Sequence, residues 1–262
     1  MSQQASSQRD PQGTRSPGQA AAPRLGKPLG AGRAVHGVAL LLPGGRAFGT
    51  RRPSAFAYAA QRPLARRLAR AGAPEGLAVH VLRYRCRGWN GSAAHPVRDT
   101  AWATDEVVRR YGDVPVCLVG TGMGARAALR AAGHPAVTAV LALAPWLPEP
   151  EAITDPDPVR QLTGRRVLLV HGTDDARTDP DLSFRLAERA KKVNRDVCRF
   201  EVHSDGHSLA QHRGEVLALA SDFVLGSLFA RHYARPVADA LAAPPPLGLR
   251  MPLAAGFGAT LE

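Results

Sequence analysis

The sequence predicts an α/β fold: a mostly parallel central sheet with helices on both faces and a minimal lid. Three observations carry this. Short β-branched or leucine-rich runs alternate with longer amphipathic stretches through most of the chain. Runs such as 114–119 and 167–170 are apolar without alternation, as strands covered on both faces are. Clusters of Gly, Asp and His stand in loops that follow the runs, at 120–124, 171–175 and 205–207, where an open α/β sheet carries its chemistry.

Taken in order, the expected strands are 35–42, 77–84, 114–119, 137–143, 167–170 and 197–202. The expected helices are 55–71, 97–110, 125–132, 181–193 and 214–229. In the fourth of these, Leu182, Leu186, Ala190 and Val193 recur at helical spacing with Arg and Glu between them. Residues 1–34 are rich in Gln, Ser, Pro, Gly, Ala and Arg without apolar periodicity, and read as a disordered tail. Residues 231–262, with Pro244, Pro245 and Pro246, read as a Pro/Ala-rich tail. The folded domain is expected over 35–230, and removal of residues 1–34 and 235–262 is expected to be tolerated.

Composition narrows the function classes. Apolar residues are 45% of the chain, enough for a packed core. No apolar run approaches membrane-spanning length and no secretory signal opens the chain, so a cytoplasmic protein without membrane contact is expected. Cys86, Cys117 and Cys198 form no CxxC pair and read as reduced structural thiols. The net charge of +12 comes almost wholly from arginine. With the abundant Ala, Gly and Pro it reads as the drift of a GC-rich genome, spread along the chain, rather than as a specific nucleic-acid site.

The densest signal is Leu118-Val-Gly-Thr-Gly-Met-Gly-Ala-Arg-Ala-Ala-Leu129, a strand, a glycine-rich turn and a helix in succession. Read as G-x-G-x-x-A (Gly120, Gly122, Ala125), it is a dinucleotide fingerprint. Read as G-x-S-x-G, it is a nucleophile elbow with Gly122 in the serine's place. The next strand ends Leu143-Ala-Pro-Trp146, without the acid that a ribose needs, so the elbow is favoured.

Other loops agree. His171-Gly-Thr-Asp-Asp-Ala176 and Ser204-Asp-Gly-His-Ser208 follow the last two strands, and Leu40-Leu-Leu-Pro-Gly-Gly45 closes the first. Arg87-Gly-Trp-Asn-Gly-Ser92 follows the second. Together these resemble the α/β-hydrolase superfamily, in its small, lid-poor, actinobacterial-type form, over roughly residues 35–229. The resemblance implies Asp175 as the acid, with Asp174 a close rival, and His207 as the histidine. It implies backbone N–H groups of Gly45 and Met123 as an oxyanion hole. His171, His203 and His212 are assigned ordinary structural roles. No histidine has a ligand partner at metal spacing, and neither metal nor cofactor is expected.

Serine attack needs an Oγ beside the histidine, and Gly122 has none. Thr121 is one step along a sharp turn and a poor substitute. Two functions remain open. One is a non-covalent enzyme with His207 as general base on a small organic molecule in the strand-end cleft. The other is a non-catalytic binding or scaffold protein. The short, Pro/Asp-rich segment after Trp146 leaves an open cleft, with Trp89 and Trp146 as expected aromatic walls.

Overall fold

In the computed structural model, residues 21–259 are described, 31 and 33 excepted. The first twenty residues of the expected N-terminal tail and the last three of the chain lie outside them.

The longest apolar runs become the middle of the sheet. These strands are β2 (Gly37–Leu42), β3 (Leu77–Arg83), β4 (Val116–Thr121), β5 (Val137–Leu143), β6 (Arg166–Gly172) and β7 (Val197–Val202). All six run parallel, as continuous burial on both faces requires. Two-residue strands close the edges: β1 (Arg24–Leu25), antiparallel to β3, and β8 (Met251–Pro252), parallel to β7. The order is β1-β3-β2-β4-β5-β6-β7-β8.

Alternate residues of each strand feed separate cores. Val38, Leu40 and Leu42 pack with α3 (His95–Tyr111), α4 (Met123–Ala131) and α6 (Pro180–Val193) through Val107, Leu129 and Leu186. Ala39 and Leu41 pack on the opposite face with α2 (Arg62–Ala71) and α7 (Arg213–Phe229) through Leu68 and Phe223.

The single helix expected over 55–71 is two. Ser54 caps α1 (Ala55–Ala59) by accepting from the Ala57 N–H, and α2 starts anew with Pro63 in its first turn. Proline has no N–H to give and disfavours a helical residue before it, so it opens a helix more readily than it continues one.

Both tail boundaries need correction. The Leu29 N–H and C=O bond those of Val79, and the Gly26 N–H bonds Val81 O. At the other end α8 (Arg235–Ala242) buries Val237 and Ala240, and Leu249 and Leu253 are buried beyond it. Composition averaged over a segment hides a few well-placed anchors, and those anchors suffice to order a chain that has strand edges to bind.

The acidic residues, unlike the arginines, are unevenly spread. Residues 11–98 hold fifteen arginines and lysines and a single acid, Glu75. The topology puts its three strands, β1, β2 and β3, together on one side of the sheet.

Candidate active site

The turn from β4 to α4 is built by three glycines with different reasons for being glycine. A Cβ on Gly120 would strike the backbone of Gly124 and Ala125, and one on Gly124 would strike the carbonyl of Leu42. These two allow the helix to start hard against the sheet. Gly122 has φ +56° and ψ −116°, a conformation side chains adopt at a cost. Its surroundings are open: within 4 Å, a Cβ there would meet only the His207 ring, with Nε2 at 3.4 Å. The Gly122 N–H bonds Leu143 O, and its carbonyl accepts from Ala125, Arg126 and Trp146.

The loop after β6 supplies a buried carboxylate. Oδ1 of Asp175 accepts the N–H groups of Arg177 at 2.8 Å and Thr178 at 3.2 Å. Oδ2 accepts from His207 Nδ1 at 2.8 Å. The neighbouring Asp174 is exposed and takes the Thr173 hydroxyl. The loop after β7 is tied down by the buried Asp205 carboxylate, which accepts the N–H groups of Gly206, Ala210 and His212. Since a carboxylate only accepts, the Nδ1 of His207 carries the proton, and a neutral ring leaves the Nε2 lone pair toward Gly122. His207 is partly open to solvent, its side chain 24% exposed.

Gly45 and Met123 meet across the same opening. Met123 is the first residue of α4, and a Cβ on Gly45 would collide with its sulfur and terminal methyl. Among the described residues neither N–H is engaged by a backbone carbonyl.

Trp146 lines a cavity of about 400 Å³ that includes Asp175, Arg177 and Thr178. Trp89 does not line it, contrary to expectation. It is 2% exposed, edge-on to Trp146, with the Arg126 guanidinium 4.4 Å above its ring. Arg126 is itself buried and paired with Asp157, so the indole is one wall of a covered ion pair. Between Trp146 and β6 the chain forms only α5 (Glu149–Thr154) and one 3-10 turn, which leaves the strand ends largely uncovered.

His171 is the residue sequence reasoning missed. It is fully buried, and its Nε2 lies 3.0 Å from Asp175 Oδ2, the oxygen His207 also uses. The signal was present as a histidine at a strand end four residues before the aspartate. Nothing in that spacing says that both side chains turn inward. His203 is exposed, and His212 lies 3.5 Å from Asp205.

Burial pushes His171 down from 6.5 to about 4, against the opposing pull of Asp175. Burial alone would raise the Asp175 carboxyl. The Arg177 N–H, His207 and the Thr178 N–H outweigh it and hold the group below its ordinary value. The stability consequence has a definite sign. Below about pH 6.5 the unfolded chain takes a proton at His171 that the folded chain refuses until about pH 4, so stability is full above that window and falls on acidification. Urea unfolding at pH 7.5 and pH 5 is expected to differ by about 2 kcal/mol from this group. His171→Gln should remove that part, leaving the same-signed contribution of the buried His80.

Among the described residues no cluster of three His, Cys, Asp or Glu could hold a metal ion, and no helix is long and apolar enough to cross a membrane.

No protein-family model and no curated protein matches the chain. Solved structures do. An esterase from Pyrococcus furiosus superposes with a TM-score of 0.58 at 17% identity, covering 74% of this chain and 82% of that one. Est1E from Butyrivibrio proteoclasticus gives 0.58 at 14% identity, over 80% and 94%. An α/β serine hydrolase without a lid, from Xanthomonas campestris, gives 0.54 at 17% identity, over 80% and 90%. The chain has the α/β-hydrolase fold. Within that class it is similar to a structure described as lidless.

Proposed function

We propose that this protein is an α/β-hydrolase-fold enzyme without a serine nucleophile, in which His207, held by Asp175, acts as a general base on a small organic molecule. The observation that carries the reading is the retained pair. Asp175 and His207 are bonded at 2.8 Å with Nε2 aimed at the space over Gly122, where no side chain competes for it. A histidine kept only for packing has no need of a free, partly exposed nitrogen.

In this reading the substrate occupies the volume a serine side chain would fill. Nε2 removes a proton from an acidic C–H or O–H of the substrate, and Asp175 stabilises the imidazolium that results. Negative charge developing on a carbonyl oxygen is met by the N–H groups of Gly45 and Met123, which survive loss of the serine because they are main-chain. The proton is then returned or passed to a leaving group, without a covalent intermediate. Lyase, isomerase, cyclase and water-activating hydrolase chemistry all fit this sequence. No cofactor is required, and cytoplasmic residence is part of the same proposal.

The reading against which it is tested is a non-catalytic small-molecule binder or scaffold, favoured by the empty Gly122 position. The ring opening of 5-nitrobenzisoxazole, a generic proton-abstraction reaction, separates the two. Wild type is expected to accelerate it by about a hundredfold or more over a His207→Ala variant. Equal rates for the two proteins would leave the binder. The dinucleotide reading has less support, since the Gly122 N–H already serves Leu143 O.

The same proposal expects the native protein to give no adduct with serine-directed fluorophosphonates and only trace turnover of activated esters. Intact-mass measurement after incubation with the probe checks this. A stoichiometric adduct would show that another residue has taken over as nucleophile.

A further inference from the structure

Behind the Asp175 carboxylate lies a row of buried polar groups that the proposed reaction does not use. His171 Nδ1 is 2.8 Å from Ser183 Oγ, and Ser183 Oγ is 3.0 Å from Arg199 Nε. His171 and Ser183 are 0% exposed and Arg199 is 1% exposed. Arg199 is anchored in turn by Glu201, by Leu249 O at 3.1 Å and by Pro180 O at 3.2 Å.

Proton accounting fixes the direction of the row. The carboxylate can only accept, so His171 Nε2 carries the hydrogen and its Nδ1 must accept when the ring is neutral. The Ser183 hydroxyl has one hydrogen and two acceptors at 2.8 Å, the Pro180 carbonyl and His171 Nδ1; Arg199 Nη2 also serves the carbonyl, which leaves the hydrogen available to Nδ1. Arg199 can only donate, and it gives Nε–H to Ser183. With that hydrogen turned to Nδ1, the row runs from a buried cation to Asp175 Oδ2. Such chains polarise one another, and each donor spreads the carboxylate's charge.

We propose that His171 is a positioning residue for the Asp175–His207 pair, delivering with Ser183 and Arg199 a directed chain of donors onto the carboxylate oxygen that His207 shares. The inference rests on the reading of that pair as the working site. His207 and His171 divide one oxygen, so the more charge His171 draws, the less remains to hold an imidazolium at His207. His171 thus limits the negative charge that Asp175 Oδ2 presents to His207. The carboxylate does not swing away when His171 is lost, because Oδ1 stays pinned by the N–H groups of Arg177 and Thr178. Around His171 the charged and titratable groups are Asp175 on the loop after β6, Arg199 and the register partner Glu201 on β7, and His207 on the loop beyond. The Asp205 carboxylate, two residues from His207, is taken up by the N–H groups of its own loop.

The test is the His207 imidazole titration followed by NMR in the full-length protein, with unfolding curves to establish that each variant is folded. His171→Phe removes the donor at similar volume and is expected to raise the His207 midpoint by roughly half a unit to one unit. His171→Gln restores an N–H and should return the midpoint to near the wild-type value. Ser183→Ala leaves His171 in place but frees its tautomer, and should raise the midpoint by less. It keeps the proposal open to refutation if His171→Phe does not fold. Midpoints equal to wild type in folded His171→Phe and Ser183→Ala overturn the proposal, as does a shift that His171→Gln fails to reverse. Asp175→Asn serves as the separate control. If it leaves the His207 midpoint unchanged, the pair itself is not coupled and the functional reading falls with it. If it lowers the midpoint while His171→Phe does nothing, only the role of His171 is lost.

Discussion

Gly122→Ser is expected to turn a protein silent to fluorophosphonates into one that is labelled at residue 122. The new Cβ would stand 3.4 Å from His207 Nε2, so an Oγ one bond further falls within hydrogen-bond reach of the base. The same hydroxyl would sit at the start of α4, next to Met123. Ester turnover should appear but remain weak, because a misplacement of about 1 Å costs on the order of a hundredfold. There is an opposing cost. A φ of +56° suits glycine, and a serine held there destabilises the fold by about 1–3 kcal/mol. Intact mass with peptide mapping reads the adduct, p-nitrophenyl acetate the turnover, and urea unfolding the cost. A variant that is less stable yet wholly unlabelled would mean that the His207 lone pair does not face this position in solution.

Cutting the chain to a 35–234 fragment is expected to abolish cooperative unfolding at neutral pH. The cut removes the buried residues Val237, Ala240, Leu249 and Leu253. Each large apolar side chain among them contributes about 1.5–3 kcal/mol when fully buried. It also strips partners from two buried cations. Lys191, 1% exposed, donates to Val197 O at 2.6 Å and Ala240 O at 3.1 Å, and would lose the second. Arg199 would lose Leu249 O. Leaving a buried charge short of partners costs about 1–3 kcal/mol or more. Set against a total of about 5–15 kcal/mol for an ordinary domain, these losses leave little. Circular dichroism through a urea titration decides it. A fragment as stable as the full chain would mean that the terminal segments dock without contributing.

The parallel sheet was legible because short β-branched or leucine-rich runs alternate with longer amphipathic stretches. Two runs, 137–143 and 197–202, coincide with the observed strands to the residue. The helix at 55–71 was misread because amphipathic periodicity continues across the break at Ala60 and Gln61, and only Pro63 betrays it. At the site, the order of loops located the turn at Gly122 and the neighbourhoods of Asp175 and His207. Which of two adjacent aspartates points inward depends on the φ and ψ of a three-residue turn, and periodicity carries no information about that. His171 was passed over for the same reason. The terminal segments were misjudged because an edge strand of two residues needs only a few backbone bonds to a neighbour far away in sequence. Trp89 looked like a cleft wall until the Arg126–Asp157 pair was seen to cover it.

Any open sheet ends in two rows of unsatisfied N–H and C=O groups, which invite a strand from another chain. Here the outermost strands are only two residues long. In β1, Arg24 stands directly opposite Arg83, a like-charged cross-strand pair that weakens the sheet locally. Pro23 and Pro28 flank that strand, and Pro252 sits within β8, where it cannot donate to a further neighbour. A second copy approaching either edge meets a short template, a missing donor or repelling guanidinium groups. The six long apolar strands between them, which would otherwise stack readily into insoluble ribbons, are thereby kept to one sheet per molecule. The like-charge pair is thus a small loss of stability that works as protection against self-association.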